Sequence, residues 1–600
     1  MARFRCRSVV ARAPETDAEA RRLRQAVLDA ADEGRLLDAR ARQDELVALR
    51  RRQSSDAMRG LAQDLAEGGQ ISFALGDYRD AARRYAEAAD AAPADALDRW
   101  RYRIAQGDAL RTQGELFAER AALEAAVQIY EREALPLVAR DTHRAEWVRT
   151  YASIGEALLI SAERGSEADA RRAITAFEQA VSGMETHDET WGMLQYQLGM
   201  ANGYAEMPGI FARLVTTGSW YDERAPIVFA HFDQASEVFG PESYAQLPPE
   251  RARLLVGFIA QVNRWTALGL EVSDDEGSAI YMTAFDEDSR SETIMSGHLL
   301  SVILQSYLLE RLSVATHPRE WATAQMAVGD AYLSVASGED ADVYFMSQRQ
   351  LGQIGRQESS ISAESLAAAR ARMSVIVLRG RVGALIQALQ AFDAALQVRQ
   401  RAVDPYGWSM VHLQRGRALL LEAQLRGMRI EPALEAYGNA LLHLTPETDR
   451  SAWIEATLGL GETYVELAGR SREGAAAEAR AAFARVLGVI DRVREPALWA
   501  RAQAGSARAT IADAAATPAQ LREAVTSAMA AAEIFPRDEL PGNWAKRRLL
   551  VADALLRLGR SGDRAALARA RTEYADIAET VGDSREIYWL PAQRGMLAAR

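Results

Sequence analysis

Eleven tryptophans lie at positions 100, 147, 191, 220, 265, 321, 408, 453, 499, 544 and 589, and most of them are evenly spaced. The intervals are 47 and 44 residues from Trp100 to Trp191, and 45, 46, 45 and 45 from Trp408 to Trp589. From Trp321 to Trp408 the interval is 87, which reads as two periods with one tryptophan missing. A constant period of this length is the mark of a repeat architecture, in which a unit too small to bury its own apolar face buries it against its neighbours.

Other positions keep the same phase. Eight residues after Trp147, Trp191, Trp321, Trp408 and Trp453 stand Gly155, Gly199, Gly329, Gly416 and Gly461, with Ala507 and Ala552 in that place after Trp499 and Trp544. A glycine inside a helix costs up to about 1 kcal/mol relative to alanine, so its recurrence calls for a neighbour too close to admit a side chain. An aromatic recurs 29 or 30 residues after the tryptophan, at Tyr130, Phe177, Tyr437, Phe483 and Tyr574, each with alanine four residues before it. Tyr85 with Ala81, and Phe392 with Ala388, read as two further repeats without the tryptophan. The four-residue spacing puts alanine and ring on one helical face, so each repeat is expected to be two antiparallel helices. The first carries Trp and Gly; the second carries Ala, the aromatic and a small residue after it. Helix starts are marked by Pro three residues before Trp321, Trp408, Trp499 and Trp544, and by Asp141-Thr-His, Glu185-Thr-His and Glu447-Thr-Asp before Trp147, Trp191 and Trp453.

On these residues the chain resembles the tetratricopeptide repeat (TPR) superfamily, in a long-period form of about 45 residues known from bacterial arrays. The resemblance covers roughly 60–210 and 365–600, and departs from the 34-residue form in having longer helices with the tryptophan added at the front. It implies an all-α fold: an α-solenoid of antiparallel helix pairs wound as a right-handed superhelix, with an irregular central helical region. Relatives of this kind hold proteins or peptides.

The expected organisation is an N-terminal helical cap or tail over 1–55, an N-terminal array over 56–204, an irregular helical region with insertions over 205–318, and a C-terminal array over 319–600 with a loop at 337–362. In the central region Trp220 and Trp265 have no glycine eight residues on, and the acidic stretches Asp274-Asp-Glu and Asp286-Glu-Asp interrupt the pattern. At the far end, Trp589 opens a repeat whose second half is not seen, so an incompletely covered apolar face and homodimerisation through the C-terminal repeats are expected.

Charge and chemistry narrow the function. Lys and Arg number 71 against 83 Asp and Glu, a formal charge of −12, which opposes attraction to nucleic acid or anionic membranes. Cys6 is the one cysteine, no apolar run approaches the 18 or so residues of a membrane span, and the start does not read as a secretory signal, so the cytoplasm is the expected compartment. His143, His187 and His317, each four residues before a repeat tryptophan, are helix-start residues set a repeat apart, too far to share one metal ion. The acidic connectors lack the calcium-loop order, and no phosphate-binding Gly-rich loop with Lys is present, the lone Lys546 lying in Trp-Ala-Lys-Arg-Arg. No catalytic residue, cofactor or metal is expected.

What remains is a surface. The position four after the tryptophan is polar in nearly every repeat: Gln195, Gln325, His412, Thr457, Gln503, Arg548 and Gln593. TPR first helices line the concave side, so this ladder suits either an extended peptide or partner helix in the groove, or hydrogen bonds between repeats. The expected function is a scaffold or adaptor binding a protein segment on its concave surface. The alternative is a regulatory or sensor subunit controlling a separately encoded protease or NTPase.

Overall fold

The computed structural model describes residues 18–51, 58–92, 96–217, 318–337, 363–535, 541–581 and 586–599, with residues 234, 314, 315 and 537 besides. Among the described residues there are helices and no strands. The N-terminal helices are α1 (Ala18–Asp32), α2 (Leu36–Arg51), α3 (Met58–Ala74), α4 (Tyr78–Ala91), α5 (Ala96–Phe117), α6 (Arg120–Ile129), α7 (Arg144–Glu163), α8 (Glu167–Ser182) and α9 (Glu189–Thr217). They are followed by α10 (Pro318–Ser337), α11 (Ala363–Leu396), α12 (Pro405–Arg426), α13 (Glu431–Ala440), α14 (Arg450–Gly469) and α15 (Ala475–Leu487). The last five are α16 (Pro496–Ala512), α17 (Pro518–Ala532), α18 (Pro541–Arg560), α19 (Arg564–Val581) and α20 (Glu586–Ala598). Two compact units divide the chain, one built on residues 1–205 with additions at 230–240 and 400–407, the other on the remainder.

Within each unit the helices pack as consecutive pairs. α7 lies on α8, α14 on α15, α16 on α17 and α18 on α19; each second helix then packs on the next first helix, and successive first helices touch. This is a TPR-like array in two layers. The second helices are amphipathic along one narrow stripe. In α8 the stripe is Ala173, Phe177 and Ala180, in α15 Ala479, Phe483 and Val486, all 0% exposed, while Glu478, Arg485 and their like face outward. The first helices are covered on most sides, and in α14 every residue from Ala452 to Gly459 is buried. A helix walled by its own partner, the preceding pair and the following pair has little polar face left, which is why these helices read as nearly continuous small and apolar residues.

The glycines explain the spacing between layers. A Cβ added at Gly107, Gly155, Gly329, Gly416 or Gly461 would lie 2.2 to 3.0 Å from the ring of Tyr130, Phe177, Phe392, Tyr437 or Phe483 respectively. In these five pairs the aromatic therefore rests on the bare backbone of the first helix. Gly199 is buried in α9. A second set of glycines stands six residues after the tryptophan: a Cβ at Gly459, Gly505 or Gly595 would come within 2.3, 2.4 and 2.3 Å of the rings of Tyr437, Phe483 and Tyr574 in the preceding pair. Tyr437 and Phe483 are thus each clasped between two first helices, one ring filling the gap between successive repeats.

This seating corrects the count of repeats between Trp321 and Trp408. Phe392 does not mark a repeat lacking its tryptophan; its ring sits on Gly329 of α10, so it belongs to the repeat of Trp321. Arg381 Nε donates to the Ala336 carbonyl at 2.8 Å and the Arg399 guanidinium to Thr323 Oγ1 at 2.7 Å, closing the same pair at both ends. In the 87-residue interval the two helices that hold Trp321 and Phe392 form one pair, with extra chain between them. α11 breaks at Gly380 (φ 54°, ψ −142°), a backbone conformation open to glycine, so residues 381–396 are the second helix of the pair and 363–379 belong to the insert. The loop expected at 337–362 lies, beyond residue 337, outside the described residues, as does the irregular region 205–318 after residue 217 apart from residues 234, 314, 315 and 318.

Of the expected cap over 1–55, residues 1–17 with Cys6 lie outside the described residues. Residues 52–55 lie outside them too, and residues 18–51 form a helix pair. α1 and α2 turn antiparallel and lay Val27, Ala30, Ala31 and Ala39 against Ile71 of α3. Arg24 pairs with the fully buried carboxylate of Asp64, and Gln43 donates to the Asp64 carbonyl.

The clasp makes a contrast that unfolding measurements can read. Gly459→Ala and Gly505→Ala force a methyl into a ring and are expected to destabilise by about 1–3 kcal/mol despite alanine's better helix propensity. Gly438→Ala in α13, exposed and with nothing within 4 Å of its Cβ, is expected to stabilise by about 0.5–1 kcal/mol.

Candidate interaction surface

The first helices are fixed at both ends before any side chain is offered to a ligand. At their N-terminal ends Arg140, Arg492 and Arg537, each seven residues before a repeat tryptophan, lie over Trp147, Trp499 and Trp544 at 5.2, 4.5 and 5.0 Å from the ring centroids. The same arginines reach the end of the second helix of their own pair: Arg140 donates to the Ser182 carbonyl, Arg492 approaches Glu533 at 3.7 Å, and Arg537 meets Asp576 at 3.1 Å. His187 instead stacks on Trp191 at 4.1 Å. Trp147 and Trp191 are buried beneath these covers, Trp453 is buried as well, and Trp408 is half-buried.

At the C-terminal ends a second set of arginines caps the preceding repeat. Arg164, at the end of α7, donates to the carbonyls of Gly114 and Glu115 in α5 at 2.9 and 2.8 Å. Arg470, at the end of α14, does the same for Met428 and Ala423 at 2.8 and 3.3 Å, and Arg557 of α18 for Asp513 and Ala514 at 3.3 Å. The last carbonyls of a helix have no partner inside it and carry its negative pole, so a guanidinium from the next repeat answers both needs.

Between these ends, neighbouring first helices exchange charge at a fixed register. Arg149, Glu455 and Arg501 stand two residues after Trp147, Trp453 and Trp499, and face Asp108, Arg417 and Glu462 of the preceding first helix at 3.8, 3.0 and 2.9 Å. Arg417 and Glu462 are nine residues after Trp408 and Trp453; Asp108 is the residue after Gly107, as Arg417 and Glu462 follow Gly416 and Gly461. Glu455 is 3% exposed, whereas the Glu462 and Arg501 side chains keep about a fifth of their surface accessible. Further along, Glu466 accepts from Gln424 at 3.2 Å, and Gln197 reaches Glu156 at 3.4 Å. The sequence offered these charges without singling them out, because no single repeat shows that the sign at one position opposes the sign about 39 residues earlier.

The polar ladder four residues after the tryptophan is placed differently. Thr457 is fully buried and its hydroxyl donates to the Trp453 carbonyl at 2.7 Å. His412 is buried edge-on to Trp408 at 4.2 Å, Gln195 is buried in α9, and Arg548 donates to Glu573 on α19, its own second helix. Gln325, Gln503 and Gln593 are half-buried. Arg548 thus turns toward the second-helix layer, whereas Gln325, Gln503 and Gln593 keep part of their surface accessible.

Burial sets the protonation of the groups inside. Burial, then the negative charge of Asp108 and the hydrogen bond to it, push the Tyr130 phenol up, and Tyr574 on Asp553 is raised in the same way, so both stay neutral donors. Burial, followed by the nearby Arg415 guanidinium, lowers His412 from 6.5 to about 4 against a smaller opposing pull from Asp393. Among the described residues no group of three or more His, Cys, Asp and Glu could hold a metal ion, and no helix is long and apolar enough to cross a membrane.

No family model and no curated protein matches the chain. Among solved structures it is similar to the crystal structure of the APC/C hetero-tetramer Cut9-Hcn1, at 12% identity over 97% of this chain and 93% of that one, with a TM-score of 0.27. At that score nothing is carried from it to this chain. The all-helical, TPR-like array is established by the helix pairs themselves.

His412 gives the array a pH dependence of defined sign. Its folded-state value lies below the ordinary one, so the unfolded chain binds the extra proton between about pH 6.5 and 4, and stability falls as pH drops through that window. Denaturant titrations at pH 7, 5 and 4 are expected to show wild type losing on the order of 3 kcal/mol more than His412→Gln, which carries the residue found at this position in four other repeats.

Proposed function

We propose that the chain is a non-catalytic scaffold or adaptor that binds a protein or peptide segment along the accessible side of its first-helix layer. The observation that supports this most is the register of that layer. Successive first helices are tied by Arg417–Glu455 and Glu462–Arg501, and next to those ties Gln424, Glu466, Gln503 and Arg508 stay partly or fully accessible. A rigid row of polar side chains repeating once per helix pair suits an extended or helical segment, which meets one rung after another. The second helices offer a different surface, charged and mixed, as expected of a solvated outside. Within the polar ladder we assign ligand contact to Gln325, Gln503 and Gln593, and a holding role to Gln195, His412, Thr457 and Arg548. The net charge of −12 argues for protein over nucleic acid as the ligand.

Affinity capture of the tagged chain from its native lysate, with and without nuclease, tests this. A stoichiometric protein partner is expected in both samples. Combined Gln424→Ala, Glu466→Ala and Gln503→Ala is expected to reduce its recovery at least tenfold with helicity unchanged. Combined Glu478→Ala, Arg522→Ala and Glu523→Ala on the second helices is expected to leave it intact. Recovery of the chain alone or only as self-assembled copies, or loss of the partner on nuclease treatment, would contradict the proposal.

A further inference from the structure

The first helices share a stripe that one of them leaves open. A Cβ added at Gly183, just past the end of α8, would lie 2.6 Å from Val148, the residue after Trp147, and Gly155, eight residues after Trp147, takes the Phe177 ring of the same α8. These two positions therefore face the second helix of their own pair. In the seven described repeats from Trp147 to Trp544 both are buried, as with Ile454 and Gly461. The residue five after the tryptophan, between them on the stripe, is apolar in all of these, as in Leu413, Leu458 and Ala504.

In α20 the same stripe is Leu590, Arg594 and Leu597, and all three are exposed, the leucines at 39% and 61%. Another side of this helix is closed: Gly595 lies under the Tyr574 ring of α19, and Arg571 donates to the Ala599 carbonyl at 2.7 Å. Among the described residues Arg594 has neither an ion pair nor a hydrogen bond.

The regular pairs show what fits such a stripe: an antiparallel helix with a narrow line of small apolar residues. In α16 and α17, where the seat is Ala507, Ala528 stands in the place of the ring, and both are buried in one cluster. Leu597 fills the seat further, so a facing helix needs a small residue there as well. Arg594 stands where the neighbours put an apolar residue, and covering it without a carboxylate would bury an unpaired charge. A second copy does not meet this need, because α20 laid antiparallel on its own copy sets Arg594 against Arg594, and like charges repel.

We propose that this stripe of α20 is a docking seat for an amphipathic helix of a protein partner, with small apolar residues on Leu590 and Leu597 and a glutamate or aspartate on Arg594. The seat faces the place of a second helix and not the accessible polar row of the first-helix layer, so it stands independently of the scaffold reading.

The test uses the full chain and a fluorescein-labelled model helix of about five turns, with Ala and Leu along one face and Glu elsewhere, followed by anisotropy. Saturable binding is expected. The same helix with Lys in place of every Glu is expected to bind at least tenfold more weakly, although a chain of charge −12 attracts cations. Leu597→Glu and Arg594→Glu are each expected to weaken binding at least fivefold with the melting temperature unchanged. Leu37→Glu, at a leucine of α2 that is 73% exposed, is expected to change it less than twofold, and so is the combined Gln424→Ala, Glu466→Ala and Gln503→Ala. Equal binding by wild type and Leu597→Glu, equal losses in Leu597→Glu and Leu37→Glu, or loss in the combined variant would overturn the site. Equal binding of the Lys helix would overturn the acidic assignment. Self-association of the chain that Leu597→Glu abolishes would make a second copy the occupant and overturn the partner.

Discussion

A ring resting on bare backbone governs the spacing of everything else. Where Phe177 meets Gly155, or Phe392 meets Gly329, the second helix approaches so closely that even a methyl group would collide with the ring. Each such glycine gives up roughly 1 kcal/mol of helix propensity, and the burial of a whole aromatic side chain more than offsets it. The alanines around the ring follow from the same distance. Ala173 and Ala180 beside Phe177, or Ala433 and Ala440 beside Tyr437, are fully buried because larger side chains would lift the helix off its seat. Tyr437 and Phe483 reach a second glycine in the next first helix, so one contact closes a pair and joins it to its neighbour.

Electrostatics then fixes what packing leaves adjustable. Small residues permit close approach but specify the sliding of one helix along another only weakly. The arginine capping of helix ends by Arg164 and Arg470, and the Arg417–Glu455 and Glu462–Arg501 pairs midway, act at separate heights along the first helices. Together they set that register. A layer held this way presents its remaining side chains at regular intervals, which is the physical basis for reading it as a surface that holds another chain.

Much of the fold was legible in the sequence, because large aromatics and glycines recur in phase and few architectures need that combination. The helix pairs, the Gly155 and Gly461 seats and the buried stripe of the second helix all follow from the period. The glycines at 459, 505 and 595 give no recurrent signal in the sequence, because other repeats put Ser153, Gln197 or Gln414 in their place. Counting tryptophans failed between Trp321 and Trp408, since an insert between the two helices of a pair imitates a missing repeat. The polar ladder shows a further limit: Thr457 is polar in the sequence and fully buried in the fold, its hydroxyl satisfied by a carbonyl one turn back. Polarity alone does not identify a surface; the direction in which a position points does.

The central claim is that a repeat is defined by the ring seated on its glycine and not by the spacing of its tryptophans. Excision tests it most directly: residues 338–380 are replaced by a turn of three to five residues, the length that joins the two helices of the regular pairs, and unfolding is followed by circular dichroism and calorimetry. The account predicts an array that still folds, with Phe392 buried on Gly329 and a melting temperature close to that of the full chain. Collapse of the transition, or loss of the helices on either side of the excision, would show that the removed segment carries a repeat of its own.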